Sequence, residues 1–281
     1  MSNKVYINGD IVNADKAKIS VSDPGLNYGY GLFETMQAYN GQIFLFDEHL
    51  KKLSDGAAAL SIRSHHLKKF AKSSGRAQIG ELLKANKLTT SNAYIKIVVT
   101  KGQETKNATI IIFAKATEEA KNKELRKRGV KAILTDEPNR YRPDIKSLNY
   151  MANIEARAEA RKNQAYDAIF KSRKDKILEG SATNIFIVKD KRLITPKATG
   201  EILPGITRDE VIRLATANGL KVEISPIKTG ELLSSDEAFL TNSIIEQVPV
   251  VKVDSRTIGN GKPGEITRKI QALYYLARGG K

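Results

Sequence analysis

Two Asn-Gly pairs constrain the fold of this chain more than any other feature. In "KVYINGDIV" and in "GLFETMQAYNGQIFLFD" the pair sits between runs that alternate apolar and polar residues. Asn and Gly tolerate the positive φ of a two-residue hairpin turn, and the alternation gives each flanking run one face to bury. Asn8-Gly9 and Asn40-Gly41 therefore predict two antiparallel strand pairs near the start of the chain. Between and after them, "EHLKKLSDGAAALSI" carries His49, Leu50, Leu53 and Ala57 to Leu60 at helical spacing, and "AQIGELLKANKL" repeats that pattern. "NAYIKIVVTKG" and "ATIIIFAKA" add another strand pair. Residues 1–117 read as a small α+β domain.

The charge-dense stretch 118–128 has no strand pattern and reads as a linker or linking helix. Beyond it, 129–281 reads as a larger mixed α/β domain. "GVKAILTD" is a strand, 147–164 a helix, and "DAIFKSRKDKILEG" and "NIFIVKDKRLITP" are hairpins. "TRDEVIRLATANGL" is a helix with Thr207 as its N-cap and Gly219 near its stop, and "EITRKIQALYYLARGG" is a final helix. There is no internal repeat.

Composition removes several chemistries. With no cysteine there are no disulfides and no thiolate nucleophiles or ligands, and His49, His65 and His66 have no zinc-type spacing, so no metal role is expected. No run approaches the roughly 18 apolar residues of a membrane helix, and "MSNKVYINGD" lacks the apolar stretch of a signal peptide. A cytoplasmic location is the expectation. The net charge of +16 raises a nucleic-acid binder as a rival class. Its lysines are dispersed, however, aromatic residues make up only 6%, and no stacking platform interleaves with the basic cluster "KNKELRKRGVK". A solvated surface, suited to an anionic small substrate, is the better reading.

Lys146 stands between an extended, proline-preceded segment and an alanine-rich helical run in "DIKSLNYMANIEARAEA". A lysine that can lose its proton forms a Schiff base with an aldehyde, but one lysine among 47 basic residues says little alone. Its company is more telling: Glu179 in "ILEGSATNIF", then "LPGITRDEVIRLA", then "FLTNSIIEQVPV". With "GLNYGYGLFETMQAYNG", "EHLKKL" and "GEITRKIQ", these ordered motifs make the chain resemble the class IV, fold-type IV, pyridoxal-phosphate enzymes over nearly its whole length. That group holds branched-chain aminotransferases, D-amino-acid aminotransferases and 4-amino-4-deoxychorismate lyases.

The resemblance implies a role for each matching position. Lys146 matches the lysine that forms the internal aldimine and then shuttles the α-proton. Glu179 matches the carboxylate on the pyridine nitrogen, and Tyr150 the tyrosine on the ring hydroxyl. Leu203 would pack on one ring face. Gly205, Ile206 and Thr207 would bring backbone amides and a hydroxyl to the phosphate at a helix start, joined by Ser243 with Asn242 beside it. Lys52 occupies the place of the family's phosphate arginine, which keeps the charge and loses the planar fork. Tyr28, Phe33, Thr35, Lys96 and Lys101 would face the substrate.

The subfamilies divide at that substrate side. The arginine and histidine that D-amino-acid aminotransferases place just after the "YIKIVVTKG" strand are replaced here by Lys101 and "GQETKN". Branched-chain enzymes have an arginine where Lys96 stands, and one more residue between their lysine and tyrosine than "KSLNY" allows. The resemblance implies a homodimeric aminotransferase acting on an amino acid and a 2-oxo acid, with release of pyruvate and 4-aminobenzoate by a lyase as the alternative.

Overall fold

Asn8 and Gly9 take φ of 51° and 121°, and Asn40 and Gly41 take 48° and 80°, so both pairs reverse the chain. The structure, a computed structural model, describes residues 4–62, 64–103 and 108–280, without the side chains of 66 and 72. Most of the "GQETKN" stretch therefore lies outside the described residues. The chain divides into two compact units, Met1–Thr117 with Ile145–Asn149, and Glu118–Asp144 with Tyr150–Lys281.

The first unit contains β1 (Lys4–Ile7), β2 (Asp10–Asn13), α1 (Pro24–Tyr28), β3 (Gly31–Tyr39), β4 (Gln42–Ile43), α2 (Phe46–Ala59), α3 (His65–Lys69), α4 (Gly75–Ala85), β5 (Ala93–Thr100) and β6 (Thr109–Ala116). Its strands form one antiparallel sheet in the order β2-β1-β6-β5-β3-β4. Helix α2 buries Phe46, His49, Leu50, Leu53 and Ala57. The apolar members share a core with Leu32, Met36 and Ala38 of β3. Because side chains alternate along a strand, Glu34 falls in the same row as Leu32 and Met36. A carboxylate is thereby carried into the core beside α2.

Residues 145–149 run along β3. Phe33 N donates to Lys146 O at 2.9 Å, Leu148 N donates to Gly31 O at 2.9 Å, and Ser147 bridges Leu32. The sequence reading puts Lys146 in the larger domain. Its backbone hydrogen-bond partners instead lie on β3, which assigns this short segment to the first unit.

The second unit contains α5 (Glu119–Arg128), β7 (Val130–Asp136), α6 (Met151–Lys162), β8 (Asp167–Lys171), β9 (Lys176–Gly180), β10 (Asn184–Lys189), β11 (Arg192–Thr195), α7 (Ile206–Ala217), β12 (Lys221–Ile224), β13 (Ile227–Lys228), α8 (Thr229–Leu233), β14 (Glu237–Asn242), β15 (Glu246–Val253), β16 (Arg256–Thr257) and α9 (Glu265–Ala277). The sheet order is β12-β11-β10-β14-β15-β7-β8-β9-β13, with β16 on β15. Strand β7 is parallel to both β15 and β8, and β12 to β11, so the sheet is mixed. The expected linker is helix α5, anchored within this unit where Asn122 Nδ2 donates to Ile244 O at 3.3 Å and Arg126 pairs with Glu246 at 3.7 Å. Among the described residues no helix is long and apolar enough to cross a membrane.

Candidate active site

In the first unit the chemistry gathers around β3. The ammonium groups of Lys146 and Lys96 each lie 4.6 Å from the centroid of the Phe33 ring. Lys96 pairs across the sheet with Thr35, and burial holds its amine below the ordinary lysine value. Thr35 hydrogen-bonds Tyr94, whose phenol is raised mainly by burial. Lys101 is bound differently, donating to Ser61 O at 2.8 Å with its ammonium 5.6 Å from the Tyr30 ring. Tyr28, at the end of α1, is 78% exposed.

Behind this row, Glu34 is 3% exposed. His49 Nδ1 meets its Oε2 at 2.9 Å, and Lys52 Nζ stands 3.8 Å from its Oε1. Burial pushes the Glu34 carboxyl up, but the His49 hydrogen bond and the charges of Lys52, His49 and Lys146 outweigh it and leave Glu34 below its usual value. The partner of Lys52 within this unit is thus a buried carboxylate that the sequence reading passed over.

In the second unit the centre is Glu179, 4% exposed, at the end of β9. Arg140 Nη1 donates to its Oε1 at 2.8 Å; Leu203 N and Asn184 Nδ2 donate to its Oε2 at 3.0 and 3.3 Å. Arg140 also holds Glu137 through Nε, at 3.0 and 3.1 Å from its two oxygens, and its guanidinium lies 4.4 Å from the Phe170 ring centroid. Burial opposes the Arg140 charge, yet the two glutamates hold the group above its ordinary value. Arg140 has no sequence signal, being one basic residue in an irregular stretch.

The turn after Glu179 is built on a second carboxylate. Asp167, 1% exposed, accepts from the Ser181 and Thr183 hydroxyls and from the N–H groups of Ala168 and Ser181. Burial still pushes Asp167 above the usual carboxylate range. A Cβ on Gly180 would overlap the Thr183 hydroxyl, so this turn closes only around glycine. Ser181 O then accepts from Tyr150 Oη at 2.9 Å and from Asn153 Nδ2 at 2.8 Å. Burial, with the charges of Glu179 and Asp167, raises Tyr150, so its phenol keeps its proton.

The start of α7 corrects one expectation. Its N-cap is Gly205, which has no side chain to cap with, and Thr207 lies inside the first turn. The Thr207 hydroxyl faces Ser243 Oγ at 3.5 Å instead of closing back on the helix. The amide N–H groups of the first turn are therefore left without a side-chain cap, as at an anion site. Gly205 has an ordinary φ of −76°, so space is what demands glycine: a Cβ would overlap the Asn184 amide oxygen. Asn184 Nδ2 donates to Leu203 O at 2.9 Å, and Asn242 Nδ2 donates to Ala182 O at 3.0 Å. Asn184 thus ties Glu179 to Leu203, and the Thr207–Ser243 contact brings the start of α7 to the residue that follows β14. Among the described residues no cluster of His, Asp or Glu could hold a metal ion.

The family described as amino-transferase class IV matches residues 31–253. A provisionally named branched-chain-amino-acid aminotransferase of Methanocaldococcus jannaschii is 35% identical over 283 residues, 96% of this chain and 95% of that protein. A D-alanine aminotransferase of Bacillus licheniformis is 32% identical over 274 residues, 95% of this chain and 94% of that one. Among solved structures, the branched-chain aminotransferase of the thermophilic archaeon Thermoproteus uzoniensis, solved with norvaline, superposes with a TM-score of 0.88 at 30% identity, covering 100% of this chain and 96% of that chain.

Two predictions come from the buried carboxylates. Arg140→Leu leaves Glu137 and Glu179 without their cation and should cost about 3–5 kcal/mol in denaturant unfolding; Arg140→Lys should recover less than half, since one ammonium cannot serve both carboxylates in the same way. Glu34 has a depressed native value, so its stabilisation is complete above its ordinary 4.5 and is lost as pH falls through the lower native value. Melting temperature should therefore fall less steeply on the acid side for Glu34→Gln than for the parent. Parallel acid limbs would count against the pairing.

Proposed function

Because this chain belongs to the class IV aminotransferase family, we propose that it works with pyridoxal 5'-phosphate, moving an amino group between an amino acid and a 2-oxo acid. The observation that carries the cofactor assignment is Glu179. A carboxylate buried in this way and held as an anion by Arg140 is what a protonated pyridine nitrogen requires as its partner. The rest of the donor set suits a phosphate monoester: an uncapped first helical turn, two adjacent hydroxyls and a glycine where a side chain would intrude.

When bound, pyridoxal phosphate supplies an electron sink for the charge left at the substrate Cα after its proton is removed. Lys146 would hold the cofactor through Nζ, and the same nitrogen would be the base that takes the substrate Cα proton and returns it. Glu179 would keep the ring nitrogen protonated, and Leu203 would cover a ring face. Tyr150, whose hydroxyl donates to Ser181 O in this structure, would turn that hydrogen to the ring hydroxyl. Ile206 and Thr207 would donate amides and a hydroxyl to the phosphate; Ser243 would add a second hydroxyl, Asn242 would brace its turn, and Lys52 would contribute charge.

On the substrate side, Lys96 meets a carboxylate. Its half-buried amine has a charge that water screens poorly, which strengthens that attraction. Phe33 and Thr35 shape the same wall, with Tyr28 and Lys101 at its margin. The relatives bear branched-chain and D-alanine aminotransferase names, which favours transamination over the lyase reaction. The working location is the cytoplasm. The assembly is a homodimer, which would cover exposed apolar side chains such as Val21 and Tyr28, 81% and 78% exposed.

Lys146→Ala should lose turnover and the visible absorption of the cofactor-loaded protein while remaining folded by circular dichroism. Incubating the parent with 2-oxoglutarate and single L- or D-amino acids should give the matching 2-oxo acid for one handedness. Pyruvate released from aminodeoxychorismate without an acceptor would reverse the choice. Sedimentation velocity should give twice the 31.0 kDa of one chain; a monomer at micromolar concentration overturns the dimer.

A further inference from the structure

Helix α9 sends one polar group into the second unit that the proposed chemistry does not use. Tyr274 is 1% exposed, and its hydroxyl hydrogen-bonds the Thr207 hydroxyl. Thr207 in turn donates to Ser243 Oγ at 3.5 Å. The three hydroxyls thus form a chain that runs from the C-terminal helix to the start of α7.

Donor arithmetic gives this chain a direction. A threonine hydroxyl has one hydrogen and two lone pairs. If its hydrogen serves Ser243, or a phosphate bound beside it, its contact with Tyr274 must be an acceptance. The phenol keeps its proton and so has one to donate: burial, with the charges of Glu246 and Glu210, raises its pKa and outweighs the Thr207 contact and the Arg278 charge, which lower it. Resting on the phosphate site proposed above, we infer that Tyr274 is a positioning residue for cofactor binding, donating to Thr207 Oγ1 so that the Thr207 hydrogen is committed to the phosphate.

The helix that carries Tyr274 is fixed well enough for this task. Glu237 accepts from Ile266 N at 2.9 Å, Thr267 N at 2.8 Å and Thr267 Oγ1 at 2.7 Å, closing the N-terminus of α9. Gln271 Nε2 donates to Gln247 O at 2.9 Å and to Arg126 O at 3.2 Å, one turn before Tyr274. A phenol on so constrained a helix biases the Thr207 rotor before any ligand arrives. Hydroxyl orientation is otherwise free, and fixing it in advance removes an ordering cost from binding.

The test compares equilibrium affinities for pyridoxal 5'-phosphate and for pyridoxal, which lacks the phosphate, in the parent, Tyr274→Phe, Thr207→Val and the double variant. Tyr274→Phe should weaken pyridoxal phosphate roughly threefold to tenfold, the span of one hydrogen bond, and leave pyridoxal unchanged. The effect should vanish in the Thr207→Val background and persist in Thr207→Ser, which keeps the hydroxyl. Equal weakening of both ligands would make Tyr274 a packing residue and overturn the inference. So would parent-like affinity of Tyr274→Phe where Thr207→Val binds poorly. If Thr207→Val itself binds pyridoxal phosphate like the parent, the phosphate site is misplaced and the role of Tyr274 falls with it.

Discussion

The backbone hydrogen bonds between residues 145–149 and β3 are the constraint on which the first unit's chemistry depends. Phe33 N to Lys146 O and Leu148 N to Gly31 O hold a non-helical segment as though it were a short added strand. That pairing brings the Lys146 ammonium to the Phe33 ring, where a flexible four-carbon stem would otherwise let it wander. Gly31 makes the approach possible: a Cβ there would stand 2.5 Å from Val99 O and 2.7 Å from a Leu148 methyl. A small residue at the start of β3 thus decides where a lysine more than a hundred positions later comes to rest.

The second unit keeps two carboxylates out of water by different means. Glu179 is balanced by a full positive charge, Arg140, which it shares with Glu137. Asp167 is surrounded by hydroxyls and amide N–H groups, and burial still wins, raising its value. The two therefore suit different work. The charge-balanced group can present an anion to a cationic partner, whereas Asp167 is consumed in shaping the turn that presents it. Ser181 joins the two functions, its side chain and N–H serving Asp167 and its carbonyl receiving Tyr150 and Asn153.

Local turn chemistry and periodicity are legible in the sequence because they depend on neighbours along the chain. The Asn-Gly pairs, the apolar face of α2 and the hairpin 167–180 all belong to that class. Alternation along "GLFETM" even carries the burial of Glu34, since Leu32 and Met36 share its side of β3, and His49 with Lys52 offers the matching polar row on α2. What the sequence does not convey is partner choice at a distance. Arg140 looks like any surface cation until Glu179, 39 positions on, closes on it. The start of α7 departs from its expected cap for the same reason: Thr207 has a good N-cap composition, but Ser243 and Tyr274 claim its hydroxyl.

The same logic clarifies the lysine at position 52. Glu34 has given Oε2 to His49 at 2.9 Å, and Lys52 reaches only toward Oε1, at 3.8 Å. A compact ammonium in that spot contributes charge without the directed fork of a guanidinium, so it can balance a buried carboxylate while still attracting a second anion. An arginine would commit its geometry more fully to one of the two. Position 52 therefore adds charge beside the Glu34–His49 pair without fixing its orientation, which the shorter His49 contact supplies.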